Sequence, residues 1–134
     1  MSENLVLDKS KTFALRIIKL CRIMMDSKRE FVLSKQLLRC GTSIGANVRA
    51  AQRAEDDRTF LFLMNTALKD AAQTEYWLEL IHESEYLTES EFLGIISDCG
   101  EVNRLLIKIV KTATLKVQKS QFGAQQYVPP ELQI

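Results

Sequence analysis

The hydrophobic residues of this chain recur at intervals of three and four in four separate stretches, which is the pattern of amphipathic helices. Short polar segments separate these stretches, and only five glycines and two prolines are present to interrupt helices. The pattern predicts helices over residues 8–25, 30–54, 57–83 and 89–115. We therefore expect an all-α protein, an antiparallel up-down-up-down four-helix bundle over residues 1–115.

The two ends of the chain are predicted to lie outside the bundle core. Residues 1–7 read as a loose lead-in, after which Asp8 or Ser10 can cap the first helix. Beyond residue 115 the sequence turns polar and ends in Val128-Pro-Pro-Glu131. Residues 116–134 are therefore predicted to form a flexible C-terminal tail.

The third and fourth predicted helices begin with capping signals. Asp56 or Asp57 can accept hydrogen bonds from the free N–H groups at the start of the third helix. Thr88-Glu-Ser-Glu91 has the spacing of a capping box and opens the fourth helix.

Gly41 and Gly45 lie inside the second predicted helix, where each costs roughly 1 kcal/mol relative to alanine. In one interpretation the helix is continuous and the missing side chains let another helix approach closely. In the other, the helix breaks near Gly41, and Thr42 or Ser43 caps a new start. The continuous helix is the favoured interpretation.

The second helix has a basic face opposite its apolar stripe. Leu37, Ile44 and Val48 mark the stripe. The cations on the opposite side are Lys35, Arg39, Arg49 and Arg53, and the first helix can extend them with Arg16, Lys19 and Arg22. Such a face could bind the phosphates of RNA or DNA in a salt-sensitive manner. The alternatives are a solvated helix face, or pairing with Glu79, Glu83 and Glu85 of a neighbouring subunit.

Charge is unevenly distributed although the chain as a whole carries only +1. Residues 1–58 hold twelve Lys and Arg against seven Asp and Glu, whereas residues 59–87 hold one against five. The asymmetry could serve a partner, or the two regions could neutralise each other within the fold. The length and the 46% hydrophobic content are those of an ordinary single globular domain.

The third helix is apolar on two sides, and a small bundle can bury only one of them. We expect the second side to form a subunit interface. Its members are Phe62, Tyr76, Trp77 and Leu80.

Glu75 falls on the core-facing side of the third helix. A buried carboxylate is costly unless it is paired. The favoured interpretation is a buried structural ion pair with Arg39 or Arg49, from the same chain or a neighbouring one, and the alternative is general acid–base chemistry.

Little in the sequence suggests an enzyme. His82 is the only histidine, and it lies near a helix end while Cys21, Cys40 and Cys99 lie on core stripes, so neither a metal site nor a Cys–His nucleophile is favoured. No cofactor motif is evident. The odd number of cysteines and the absence of a long apolar run predict a reduced cytoplasmic protein that does not enter the membrane.

Two segments resemble a known family. They are Gln36-Leu-Leu-Arg-Cys-Gly-Thr-Ser-Ile-Gly-Ala-Asn-Val-Arg-Ala-Ala51 and Phe60-Leu-Phe-Leu-Met-Asn-Thr-Ala-Leu-Lys-Asp-Ala-Ala-Gln-Thr-Glu-Tyr-Trp-Leu78. The chain resembles the bacterial four-helix-bundle family of 23S rRNA intervening-sequence proteins. It is also similar to the accessory variability determinant of diversity-generating retroelements.

The resemblance implies a homopentameric ring or barrel without enzymatic activity. It also implies RNA or DNA as a partner, and a reverse transcriptase as another. It assigns structural or assembly roles to Arg39, Gly41, Ser43, Gly45, Asn47, Glu75, Tyr76 and Trp77, and a basic surface to Arg49 and Arg53. The sequence therefore predicts a non-enzymatic homo-oligomeric scaffold that binds nucleic acid. A protein–protein interaction module that does not bind nucleic acid is the alternative.

Overall fold

The computed structural model describes residues 2–126 as four helices: α1 (Ser2–Lys28), α2 (Val32–Ala51), α3 (Asp57–Glu83) and α4 (Glu89–Gln126). Each helix packs on the next and α4 returns to pack on α1, while α2 and α4 occupy diagonally opposite corners. Among these residues there is no strand. The predicted all-α four-helix bundle is confirmed, and its assembly into a pentamer stays a prediction.

The core is built from the apolar stripes of all four helices. Its largest fully buried side chains include Phe13, Ile17, Leu37, Leu78 and Leu106. Within the described part of the chain, no helix combines the length and the apolar character needed to cross a membrane.

The three cysteines lie in this core as free thiols, as predicted. Burial raises the pKa of the Cys21 and Cys99 thiols to about 12, because the charged thiolate is poorly solvated there. Burial also raises the pKa of Cys40. All three are therefore held in the unreactive thiol form.

Helix α2 is continuous through its two glycines, as favoured from the sequence. A Cβ atom at Gly41 would lie 2.9 Å from Cγ2 of Ile17 on α1. One at Gly45 would lie 3.5 Å from the backbone oxygen of Ser10. The missing side chains thus let α1 and α2 of the same chain pack closely.

The predicted caps of α3 and α4 are confirmed. The Asp56 carboxylate accepts a hydrogen bond from the backbone N–H of Thr59 at 2.7 Å. At the start of α4, the Thr88 hydroxyl accepts from the N–H of Glu91 at 3.1 Å. The Glu91 carboxylate accepts from the N–H of Thr88 at 2.9 Å, which completes the capping box.

Helix α2 begins at Val32, two residues later than predicted, and Glu30 serves as its anchor. The buried Glu30 carboxylate accepts the N–H groups of Val32, Leu33 and Ser34 at 3.2, 3.0 and 2.8 Å. Burial alone would raise the pKa of Glu30, but these N–H bonds outweigh it and hold the pKa below 4.5. The carboxylate thus satisfies donors that the helix itself leaves free.

Both outer helices are longer than predicted. Helix α1 starts at Ser2 rather than residue 8, because Val6 and Ser10 are buried and continue the core stripe. Helix α4 runs to Gln126 rather than residue 115. Its extra residues are mostly good helix formers such as Lys, Gln and Ala. The rest of the predicted tail, residues 127–134, lies outside the described residues.

Candidate nucleic-acid interface

The outer face of α2 is the first candidate site. Lys35, Arg39 and Arg49 are exposed, as is Arg53 in the turn that follows the helix. Since a helix rises about 1.5 Å per residue, Lys35 and Arg49 lie about 21 Å apart along it. We call these four residues the α2 basic face.

The centre of the α2 basic face carries little bulk. Ala46 and Ala50 are exposed, and Thr42 is half-buried. The Thr42 hydroxyl donates to the backbone oxygen of Leu38 at 2.6 Å, so it is already engaged by its own helix. A large ligand can therefore approach the middle of α2 while the cations at both ends contact it.

The cations of this face have no acidic partner among the residues that the structure describes. Three ion pairs occur among the described residues, and none includes a residue of the α2 basic face. Arg39 donates from Nη2 to Oε1 of Gln36 at 3.2 Å, which is a neutral contact within the helix. Their positive charge is therefore left for a partner or for solvent.

A polar bridge to α3 fixes the orientation of α2. The Asn47 amide donates to Oδ2 of Asp70 at 2.8 Å and to the backbone oxygen of Ser43 at 3.2 Å. The buried Thr74 hydroxyl donates to the backbone oxygen of Asp70 at 2.7 Å. Asp70 and Thr74 are not identifiable from the sequence, because polar residues on the flank of a helix do not add to its apolar periodicity.

The cations predicted on α1 divide between two sides of that helix. Arg16 forms an ion pair with Asp98 of α4, so it belongs to the α1–α4 contact instead of the α2 side. Lys19 and Arg22 are exposed. Arg22 lies about 120° around α1 from Arg16, toward α2, and can extend the α2 basic face.

Lys11 is a further cation on α1 that the sequence reasoning left out of the basic set. It is exposed, and it precedes Arg22 by eleven residues, which is close to three full helical turns. Lys11 and Arg22 therefore share one face of α1. The same interval in the sequence could have identified it.

The four residues predicted to form a subunit interface are not equivalent. Phe62 and Tyr76 are 69% and 55% exposed and lie on one face of α3. Trp77 is half-buried and packs against the core, with its ring 5.5 Å from that of Tyr76. Leu80 is half-buried as well. A subunit contact by this set stays a prediction, with Phe62 and Tyr76 the most available side chains.

Glu75 is half-buried, and none of the ion pairs in residues 2–126 includes it. After burial, the Glu75 charge is a further cause of the raised pKa of Cys99 on α4. A pair with an arginine of a neighbouring subunit stays a prediction.

His82 serves as a link between α3 and α4. Its Nε2 lies 2.8 Å from Oε2 of Glu89, and its ring stacks on Phe92 at a centroid distance of 4.0 Å. In the part of the chain that the structure describes, no three His, Cys, Asp or Glu side chains are placed to share a metal ion.

Comparison with known proteins identifies the family of this bundle. The family model described as 23S rRNA-intervening sequence protein matches residues 2–108. The chain belongs to this family. It is also similar to a crystal structure of a protein with unknown function from the S23 ribosomal protein family of Bacteroides thetaiotaomicron. That protein shares 49% identity with a TM-score of 0.82, over 83% of this chain and 99% of its own. Among curated proteins, none matches significantly.

Proposed function

We propose that this protein is a non-enzymatic, cytoplasmic homo-oligomer that binds RNA or DNA through the α2 basic face. One observation carries the proposal. Four cations lie exposed on one face, the described residues offer them no acidic partner, and small residues separate them. Membership of a family named for 23S rRNA intervening sequences supports nucleic acid as the partner.

The composition of the face favours contact with the phosphate backbone. Between Lys35 and Arg53 there is no aromatic residue on which an unpaired base could stack. The exposed aromatic residues Phe62 and Tyr76 lie on α3 instead. We therefore expect duplex or folded RNA and duplex DNA to bind at least as well as unstructured strands, with little preference for sequence.

A subunit interface on α3 completes the proposal. Phe62 and Tyr76 are exposed aromatic side chains, and aromatic residues are enriched in protein interfaces. Oligomerisation would repeat the α2 basic face around the assembly and so raise its affinity through multivalency.

The test is fluorescence anisotropy of a labelled RNA duplex, a DNA duplex of the same sequence and the separated strands, titrated across about 50 to 200 mM salt. Four phosphate contacts predict a log–log slope near −3.6, since each contact to a duplex contributes about −0.9. Arg49→Glu with Arg53→Glu should strongly weaken binding while the protein still assembles.

The matched control is Lys28→Glu with Arg29→Glu, which reverses two exposed cations at the end of α1 and in the turn after it. The control should bind like the native protein. Equal losses in both variants would mean that only net charge matters, and absence of binding by the native protein at the lowest salt would reject the proposal.

A protein–protein module is the second candidate, because the same small residues that open the α2 basic face could also admit a helix. The exposed Glu79 and Glu83 of a neighbouring subunit would supply the opposite charges. Under this alternative, Arg49→Glu disrupts the oligomer, and Glu79→Lys or Glu83→Lys restores it. Native mass spectrometry of the single and double variants distinguishes the two functions.

A further inference from the structure

The second half of α4 is rich in cations, although the net charge of the chain is only +1. Between Glu101 and Glu131 there is no acidic residue. The same interval contains five cations: Arg104, Lys108, Lys111, Lys116 and Lys119. All five are exposed, and none takes part in an ion pair with another described residue.

Most of these cations share one outer face of α4. At about 100° per residue, Arg104, Lys108, Lys111 and Lys119 fall within an arc of about 80°. From Arg104 to Lys119 the helix rises about 22 Å. We call these four residues the α4 basic face.

The α4 basic face extends past the end of the bundle. A cleft lies between residues 108–116 of α4 and the turn that joins α2 to α3. Lys116 is the last residue of α4 that lines it, so ten further helical residues, about 15 Å, follow beyond this contact. Glu55, Asp56 and Asp57 on the turn can neutralise part of the charge at Lys108 and Lys111, but Lys119 lies further along.

The side chains of this face suit a polyanion better than a protein partner. Protein interfaces are depleted in lysine and enriched in aromatic residues, whereas this face has three lysines and no aromatic residue. Thr112 and Gln118 are exposed nearby and can donate hydrogen bonds to phosphate oxygens. The family match ends at residue 108, so Lys111 and Lys119 lie beyond the part of the chain that the family describes.

We propose that the α4 basic face is a second nucleic-acid backbone contact, separate from the α2 basic face. Helices α2 and α4 are at diagonal corners of the bundle, so their outer faces point away from each other. The two faces approach each other only where Arg53 lies in the turn beside the cleft, so a straight duplex segment along α2 leaves the α4 basic face uncovered. Each subunit therefore holds two segments of a folded RNA or of looped DNA. This inference rests on the proposed function, since both faces would bind the same polymer.

The test is lysine acetylation of the intact protein, read by mass spectrometry, with and without a saturating RNA duplex at about 50 mM salt. Lys35 reports on the α2 basic face, and Lys111 and Lys119 report on the α4 basic face. Lys28, exposed at the end of α1, where it donates to the backbone oxygen of Tyr86, is the internal control. The proposal expects severalfold slower acetylation of Lys35, Lys111 and Lys119 in the complex, and an unchanged rate at Lys28.

The other outcomes separate the two proposals. Protection of Lys35 alone would overturn the second contact and leave the proposed function standing. Protection of Lys111 and Lys119 alone would support the α4 contact and reject the α2 basic face as the site. Protection of no lysine would reject both.

A pair of variants checks the result by affinity. Lys111→Gln with Lys119→Gln should reduce the magnitude of the slope of log affinity against log salt concentration by about 1.8. Each lost phosphate contact removes about 0.9 from this slope. Lys28→Gln with Arg29→Gln removes the same charge from the end of α1 and the turn after it, and should leave the slope unchanged. Equal slopes for the two variants would overturn the α4 contact.

Discussion

Helices α2 and α3 are neighbours in the chain and pack directly against each other, yet they present opposite chemistry to solvent. Helix α2 contains three cations and no acidic residue, whereas α3 contains five acidic residues and two cations. Exposed small residues lie along α2, and exposed aromatic residues lie along α3. A nearly neutral protein can therefore have strongly polarised surfaces, and its net charge says little about its partners.

The two helices also begin differently. Helix α2 starts at a buried carboxylate that accepts three N–H groups, and α3 starts at the exposed Asp56, which accepts one. Both caps bond to their own helix, but the Glu30 carboxylate does so where it is largely shielded from water.

Glu30→Ala should lower the free energy of unfolding by about 2 kcal/mol, because it leaves the buried N–H of Ser34 and the less buried N–H groups of Val32 and Leu33 without their acceptor. Urea unfolding at neutral pH measures the loss. Asp56→Ala should cost clearly less, since water can replace the lost acceptor. Equal losses would mean that the two caps do not differ in the way described.

Glu30 should also make stability depend on pH. Its pKa is lowered by folding, so its contribution is fully present above about pH 4.5 and is lost as the pH falls through the folded value. Urea midpoints of the native protein should decline below pH 4.5 more steeply than those of Glu30→Ala. Parallel curves would contradict the lowered pKa, because other carboxylates such as Asp56 contribute to both proteins alike.

Trp77→Ala should lower stability by about 2 kcal/mol, because half of this large side chain is packed on the core. Phe62→Ser with Tyr76→Ser removes exposed rings and should change the stability of the subunit by less than about 1 kcal/mol. It should instead reduce the native mass. A native mass unchanged by the double variant would reject the outer face of α3 as the subunit interface.

Gly41→Ala should destabilise the protein by about 1–2 kcal/mol, although alanine is the better helix former. The new methyl group would lie 2.9 Å from Ile17, which is fully buried and β-branched and so cannot turn away. Gly45→Ala meets only ordinary contacts from 3.5 Å and should stabilise by up to about 1 kcal/mol. Thermal unfolding of the two variants should therefore shift in opposite directions.

Glu85→Gly should stabilise by about 1 kcal/mol. Glu85 follows α3 with a φ of 68°, a conformation that glycine adopts without strain. The N–H groups of Glu85 and Tyr86 donate to the backbone oxygens of His82 and Ile81, which is the Schellman arrangement. Ser84→Gly is the control, since Ser84 has a φ of −88° and should gain nothing. Helix α2 has no residue of this kind at its end.

The features predicted correctly from the sequence depend on neighbours in the chain. The caps at Asp56 and Thr88 connect residues three positions apart, so a short window contains both partners. The apolar stripes of the core are also predictable from a short window, because residues on one face of a helix recur every three or four positions.

The features that were missed depend on contacts between distant residues. The sequence alone assigns Arg16 to a basic face, but in the folded bundle Arg16 pairs with Asp98 of α4. Glutamate is not a preferred helix cap, and Glu30 becomes buried at that position only in the folded bundle. The α4 basic face is not evident in a charge count over the whole of α4, because the acidic residues between positions 89 and 101 offset its cations.

The burial of the cysteines provides a natural way to observe this bundle opening. Cys21, Cys40 and Cys99 belong to α1, α2 and α4, and each is at most 1% exposed. A thiol reagent can therefore react only after the helix concerned separates from its neighbours. The three labelling rates would report the local opening of three helices without any introduced probe. They would also show which helices a bound nucleic acid holds closed.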